Sequence, residues 1–212
     1  PNDFPRRVTD DHIRFEKVSF SYGGVKPTVK DISFSLRRGQ TLGIIGATGS
    51  GKSTVGVLLA KMLGYSFVDT DLIIQQVENK KLYEILRDNG TEYFAQVENS
   101  VCKNLQANRT VIATGGSAVY GAEAMAHLKS IGKVVYLKVS LAELNKRVKN
   151  FETRGIMRKE GQTLEEILID REHLYEKYAD ITVNCSRGSL SKNAEKIIKL
   201  LNKSDCVAGN SD

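Results

Sequence analysis

Residues 46 to 53 read Gly-Ala-Thr-Gly-Ser-Gly-Lys-Ser, and no other stretch limits so sharply what this chain can fold into. An apolar run from Leu42 to Ile45 leads in, and an amphipathic helical pattern begins at Lys52. Strand, glycine-rich loop and helix in that order are the context a phosphate-binding loop requires. The backbone N–H groups of Gly46, Ala47, Thr48, Gly49, Ser50 and Gly51, with the positive end of the helix, suit a polyphosphate. Lys52 reaches the β and γ oxygens, Ser53 offers a hydroxyl to Mg²⁺, and Thr54 completes the run. A glycine-rich turn matching by chance is the weaker account, because three independent features coincide. ATP or GTP binding with Mg²⁺ is the expectation.

Past the loop, short apolar runs alternate with longer helical stretches, as in βαβ units on a parallel sheet. Strands are expected at 41–45, 66–68, 111–114, 134–139 and 181–183. Helices are expected at 52–63, 93–105, 122–129, 141–149, 163–177 and 192–201. Before the loop the pattern has period two: Ile13, Phe15, Val18 and Phe20, then Ile32, Phe34 and Leu36 after Gly23-Gly24 and Pro27. That alternation predicts a half-buried antiparallel β-ribbon. The fold class is therefore α/β, a P-loop NTPase with a doubly wound parallel sheet and helices on both faces, preceded by the ribbon. One domain spans residues 1–203, with the ribbon at 12–40 and the core at 41–203, and the polar residues 204–212 form a disordered tail.

The 212 residues are 41% hydrophobic and 26% charged, which excludes a disordered or fibrous chain. The net charge of +6 has no basic block behind it, so a small phosphorylated ligand accounts for it and no nucleic-acid partner is expected. Cys102, Cys185 and Cys206 lack metal-ligand spacing and suit a reducing cytosol. No run approaches the roughly 18 apolar residues of a membrane span. A cytoplasmic monomer with no membrane partner is the expectation.

Asp69 and Asp71 follow the second core strand. In an extended chain residues two apart face the same way, so both carboxylates should meet at the ligand-binding edge of the sheet. One suits Mg²⁺ and the other a reacting hydroxyl. A helix cap at Asp71 is the alternative. Gly115 and Gly116 end the third strand and allow a substrate close to the backbone, unless they form an ordinary turn. Arg154, Arg158 and Lys159, flanked by glycines, suit a mobile basic lid or a solvated loop. Arg171 reads as a surface helix residue, and His12, His127 and His173 share no ligand spacing.

From Gly49 to about Leu201 the chain resembles the shikimate kinases. The resemblance rests on Gly49 to Gly56, Leu58 to Lys61, Phe67-Val68-Asp69-Thr70-Asp71, the Gly90 to Glu98 stretch, Ala113-Thr114-Gly115-Gly116, Val134 to Leu137, and Arg171 with Leu174-Tyr175. It implies phosphoryl transfer from ATP to a hydroxyl of a small hydroxylated acid. Asp69 would lie near Mg²⁺, Asp71 on the substrate hydroxyls, Gly115 and Gly116 along the substrate, Arg171 on its carboxylate, Arg154 in the lid and Arg147 against adenine; Lys52, Asp71 and Arg154 would be catalytic. Three positions depart from the family. Ala95 stands where an arginine is expected, Ser117 replaces the third of three glycines, and Gly155 follows Arg154 where proline is usual. A lost charge-assisted contact of about 1.5–3 kcal/mol weakens acceptor affinity by one to two decades. Shikimate turnover is therefore expected to be weak or absent.

Residues 12 to 54 resemble the start of an ABC transporter ATPase instead. Ile13-Arg14-Phe15-Glu16-Lys17-Val18-Ser19-Phe20-Ser21-Tyr22 and Leu36 to Ser53 carry that resemblance, which implies that Tyr22 stacks on adenine. Nothing after Thr54 continues it: a Leu-Ser-Gly-Gly-Gln signature is missing. The two patterns meet within Gly49 to Thr54, so the chain reads as an engineered P-loop chimera, or as a nucleotide-binding hybrid without catalysis. A natural divergent kinase with an N-terminal extension is the rival.

Overall fold

The computed structural model describes residues 12–20, 29–37, 41–149 and 155–208, with side chains described over 41–149 and 155–201. Tyr22 and Arg154 lie outside the described residues. Strands β1 (His12–Phe20) and β2 (Val29–Arg37) pair antiparallel, with Ile13 opposite Leu36 and Phe15 opposite Phe34. They form a separate two-stranded sheet and do not extend the edge of the parallel one.

The core sheet has five parallel strands in the order β4-β5-β3-β6-β7. These are β3 (Thr41–Ile45), β4 (Ser66–Asp69), β5 (Thr110–Ala113), β6 (Gly132–Lys138) and β7 (Ile181–Asn184). The helices are α1 (Lys52–Leu63), α2 (Thr70–Glu78), α3 (Leu82–Lys103), α4 (Ala122–Ile131), α5 (Leu141–Arg147), α6 (Leu164–Tyr178) and α7 (Leu190–Ala208). After β3 the chain moves to one side for β4 and β5, then crosses to the other for β6 and β7. The loop after β3 lies at that reversal, where open α/β sheets bind ligands.

Strands covered on both faces read as continuous apolar runs. Ile44, Val135 and Leu137 face α1 and α7, where Val55, Leu59 and Leu63 repeat every four residues and meet Ala194, Ile197 and Ile198. Ile45, Ile112, Val134 and Tyr136 face the other way, against Met125 and Leu128 of α4 and Tyr175 of α6. The rings of Tyr136 and Tyr175 stack 5.0 Å apart. Each fully buried Leu or Ile contributes about 1.5–3 kcal/mol, so the two layers hold β3 rigidly between them.

Three elements differ from the expectation. Helix α2 was expected only as the alternative in which Asp71 caps a helix; it begins at Thr70, with Thr70 and Ile74 buried and Leu72 and Val77 facing solvent. Helix α3 begins at Leu82 and is broken at Gly90, whose φ of 82° interrupts the helical pattern. Helix α7 runs to Ala208, so residues 204–208 are helical backbone and not a disordered tail. Among the described residues no helix is long and apolar enough to cross a membrane.

Candidate active site

The loop between β3 and α1 is shaped by glycines. Gly49 and Gly51 adopt φ of 86° and 92°, which strain any L side chain. At Gly49 a Cβ would also stand 2.5 Å from Val148 Cγ2 and 3.9 Å from Arg147 Cβ, which places the end of α5 directly over the loop. Arg147 is held there by Glu143 Oε1, accepting from Nε at 3.0 Å, and by the Cys185 carbonyl, accepting from Nη2 at 3.2 Å. A Cβ on Gly51 would stand 3.1 Å from Leu190 Cδ2 of α7.

Lys52 folds back across the loop and donates to the carbonyls of Gly46 at 2.7 Å and Ala47 at 3.1 Å. Burial lowers its ammonium to about 8 against the upward pull of Asp71, Asp69 and Glu98. Ser50 Oγ is buried in the loop without a hydrogen-bond partner. An orphaned hydroxyl beside a bent-back lysine fits a loop built around phosphate oxygens.

Asp69 ties α1 to α2. Its Oδ2 accepts from Ser53 Oγ at 2.6 Å and its Oδ1 from the Asp71 backbone N–H at 3.0 Å. Asp69 is thus the N-cap of α2, which begins at Thr70, and Asp71 lies in the first helical turn. The two carboxylates share the sheet edge through a helix cap, not through strand alternation as expected. The cap is Asp69, not Asp71. Hydroxyl plus carboxylate is a hard-oxygen pair that suits Mg²⁺, which takes one or two carboxylates and completes its shell with water and phosphate. No group of three or more His, Cys, Asp or Glu able to hold a metal occurs among the described residues.

Asp71 faces a narrow chamber of about 50 Å³ that Glu98, Gly115, Gly116 and Arg171 also line. Burial, then the Asp69 charge, raises Asp71 to about 6, while Lys52 pulls it down. A Cβ on Gly115 would sit 2.1 Å from Glu98 Oε1 and 2.9 Å from Asp71 Oδ1, so both carboxyls converge on this glycine. At Gly116 a Cβ would meet Thr48 Oγ1 at 3.1 Å and Arg171 Nη1 at 3.2 Å. The phosphate loop and the chamber therefore meet at Thr48.

Arg171 is 3% exposed, not the surface residue that its sequence context suggested. Its Nε donates to Tyr120 Oη at 3.3 Å, its Nη2 donates to the Met157 carbonyl, and its guanidinium lies 5.2 Å from the Tyr120 ring. Tyr175 Oη donates to the Gly116 carbonyl at 2.6 Å and fixes the glycine pair. Arg158 and Lys159 lie beyond the chamber, along an adjoining cleft.

Glu98 is the residue that sequence reasoning missed. It is 2% exposed, and its Oε1 has no hydrogen-bond partner. The signal was present: Phe94, Glu98 and Cys102 repeat every four residues on the buried stripe of α3, where an acid is out of place. Ser117, which departs from the family's third glycine, hydrogen-bonds the Glu98 carboxyl. Burial, with Asp71 nearby, raises Glu98 to about 7 despite Ser117. The folded chain thus holds this proton more tightly than the unfolded one. The associated stability is complete below about pH 4.5 and is lost as pH rises through 7. Glu98→Gln removes the penalty. In urea unfolding it is expected to match the parent near pH 4.5 and to exceed it by up to about 3 kcal/mol at pH 8; parallel pH curves would contradict the buried acid.

A phosphate loop at the switch point of a five-stranded parallel sheet, facing a chamber with two carboxyls and a guanidinium, defines the chain as a P-loop kinase fold. A family model described as shikimate kinase matches residues 48–202. The chain belongs to the shikimate kinase family, whose members are ATP- and Mg²⁺-dependent P-loop kinases. It is 43% identical over 109 residues to shikimate kinase 2 of Yersinia pseudotuberculosis serotype O:3 (strain YPIII), an alignment covering 51% of this chain and 63% of that one. It is 38% identical over 150 residues to shikimate kinase of Clostridium botulinum (strain Okra / Type B1), covering 68% and 88%. The structure of Acinetobacter baumannii shikimate kinase in complex with shikimate is similar at a TM-score of 0.72 and 29% identity, covering 82% of this chain and 96% of that one. These relatives support neither an ABC-derived segment nor a loss of turnover.

Proposed function

We propose that this chain transfers the γ-phosphoryl group of ATP to a hydroxyl of a small hydroxylated acid, with shikimate the first acceptor to test. The observation that carries the reading is the meeting of the Lys52 loop with the Asp71, Gly115 and Arg171 chamber at Thr48. In this reading the N–H groups of residues 46–51 and Lys52 hold the phosphates, and Arg147 lies against adenine. Ser53 and Asp69 hold Mg²⁺, which neutralises phosphate charge. Arg171 takes the acceptor carboxylate, Gly115 and Gly116 let the acceptor approach the backbone, and Arg154 covers the transferring group. The acceptor oxygen forms its bond to Pγ as the bond from Pγ to the ADP oxygen breaks, and the hydroxyl proton passes to Asp71. A coupled assay for ADP with and without shikimate tests this. Shikimate-dependent ADP release is expected, whereas ATP binding without it would favour the scaffold reading.

The hybrid reading of residues 12–54 rests on the sequence motifs quoted above, and the family match begins at residue 48, within the loop of residues 46–53. If the ribbon serves adenine as in an ABC ATPase, Tyr22→Ala weakens ATP binding by up to about tenfold, since base stacking contributes about 1–3 kcal/mol. Unchanged affinity in calorimetry would leave adenine to Arg147 and its neighbours.

A further inference from the structure

Glu98 takes no part in the phosphoryl transfer proposed above, yet it lines the acceptor chamber, is 2% exposed and has no hydrogen-bond partner for Oε1. A buried polar atom in a folded chain is nearly always partnered, so an orphan facing a cavity marks the place of a missing donor. Lys52 and Arg171, whose charges act on Glu98, direct their hydrogen bonds elsewhere: Lys52 to the carbonyls of Gly46 and Ala47, Arg171 to Tyr120 Oη and the Met157 carbonyl. Ala95, one turn earlier on α3 and at the position where an arginine is expected, has only a methyl group to offer. Oε1 is aimed at the same place as the Asp71 carboxylate. The position that a Cβ on Gly115 would take is 2.1 Å from Glu98 Oε1 and 2.9 Å from Asp71 Oδ1. Two carboxyl oxygens facing one point repel unless each receives a proton or a hydrogen bond. A lone hydroxyl has one hydrogen to give, whereas hydroxyls on adjacent carbons supply a donor to each.

We propose that Glu98 is a specificity-determining residue: its Oε1 accepts a hydrogen bond from the hydroxyl next to the one that reacts at Asp71, so the chain selects vicinal diols among hydroxylated acids. This role rests on the acid-kinase reading and adds to it a rule of acceptor choice. The ring hydroxyls of shikimate stand on consecutive carbons, so 4-deoxyshikimate has no adjacent pair and 5-deoxyshikimate keeps one. The test measures kcat/KM on the three acids for the parent, Glu98→Leu and Glu98→Gln, with the Kd for ATP by calorimetry as the check on folding. The parent is expected to lose about tenfold or more on 4-deoxyshikimate and little on 5-deoxyshikimate, because the absent hydroxyl leaves Oε1 orphaned. Glu98→Leu is expected to lose about as much on shikimate and nothing further on 4-deoxyshikimate, a coupling that a merely structural residue would not produce. Should Glu98→Leu lose ATP binding, Glu98→Gln decides: an amide is the weaker acceptor, and the discrimination is expected to shrink. A parent that uses both deoxy acids equally, or folded variants that keep the parent's discrimination, overturns the role of Glu98 and leaves the acid-kinase reading standing. A parent that phosphorylates none of the three acids overturns both.

Discussion

Lys52→Ala is expected to remove ATP binding from the range of calorimetry and phosphotransfer with it. The Lys52 side chain spans the loop to two carbonyls, at 2.7 and 3.1 Å, so its ammonium stands where it can turn outward to phosphate oxygens with little reorganisation. Each charge-assisted hydrogen bond lost costs about 1.5–3 kcal/mol, and two of them amount to a hundredfold or more in affinity. Arg171 is bound to Met157 and Tyr120, and Arg147 beside Gly49 is engaged by Glu143 and the Cys185 carbonyl, so neither takes the place of the Lys52 ammonium. Equal affinity for the parent and the variant, both folded, would refute the assignment of this loop to phosphate.

Asp71→Asn is expected to separate chemistry from nucleotide binding. The carboxylate lines the chamber, while Asp69 carries the link to Ser53. If Asp71 takes the hydroxyl proton, removing its basicity lowers kcat by about 10²–10⁴. The Kd for ATP should stay within about twofold. A variant with full kcat would show that the hydroxyl needs no base, and one that loses ATP would place Asp71 in the nucleotide site.

The core architecture was legible because its signals are local. A strand, Gly46 to Ser53 and a helix in sequence fix the loop, and continuous apolar runs mark strands covered on both faces. The placement of the candidate residues was legible where a motif names them, as with Lys52, Asp69, Asp71, Gly115 and Gly116. It was not legible where a side chain's role depends on distant packing. Arg171 reads as a surface residue on α6 until Tyr120 and the Met157 carbonyl, brought in from other parts of the chain, enclose it. Glu98 needed a buried face to be recognised first, and Asp71 was assigned strand geometry because Asp-Thr-Asp reads equally well as the end of a strand or as the cap and first turn of a helix. The ribbon's strand pairing was legible from alternation, but its separation from the parallel sheet depends on tertiary contacts that alternation does not encode.

Strand β3 divides the sheet into two workshops with one shared bench. On one side β4 ends in Asp69, and β5 leads to Gly115 and Gly116 just beyond the strand, the residues assigned above to Mg²⁺ and the proposed acceptor. On the other, β6 and β7 lead to Arg147 and Cys185, which frame the approach to the loop from the nucleotide side. Parallel strands pair through backbone, so side chains at the ends of β4 and β5 can change without disturbing β6 and β7. A lineage or a designer can therefore retool the acceptor half for a new hydroxyl compound while the phosphate donor and its grip remain as they were.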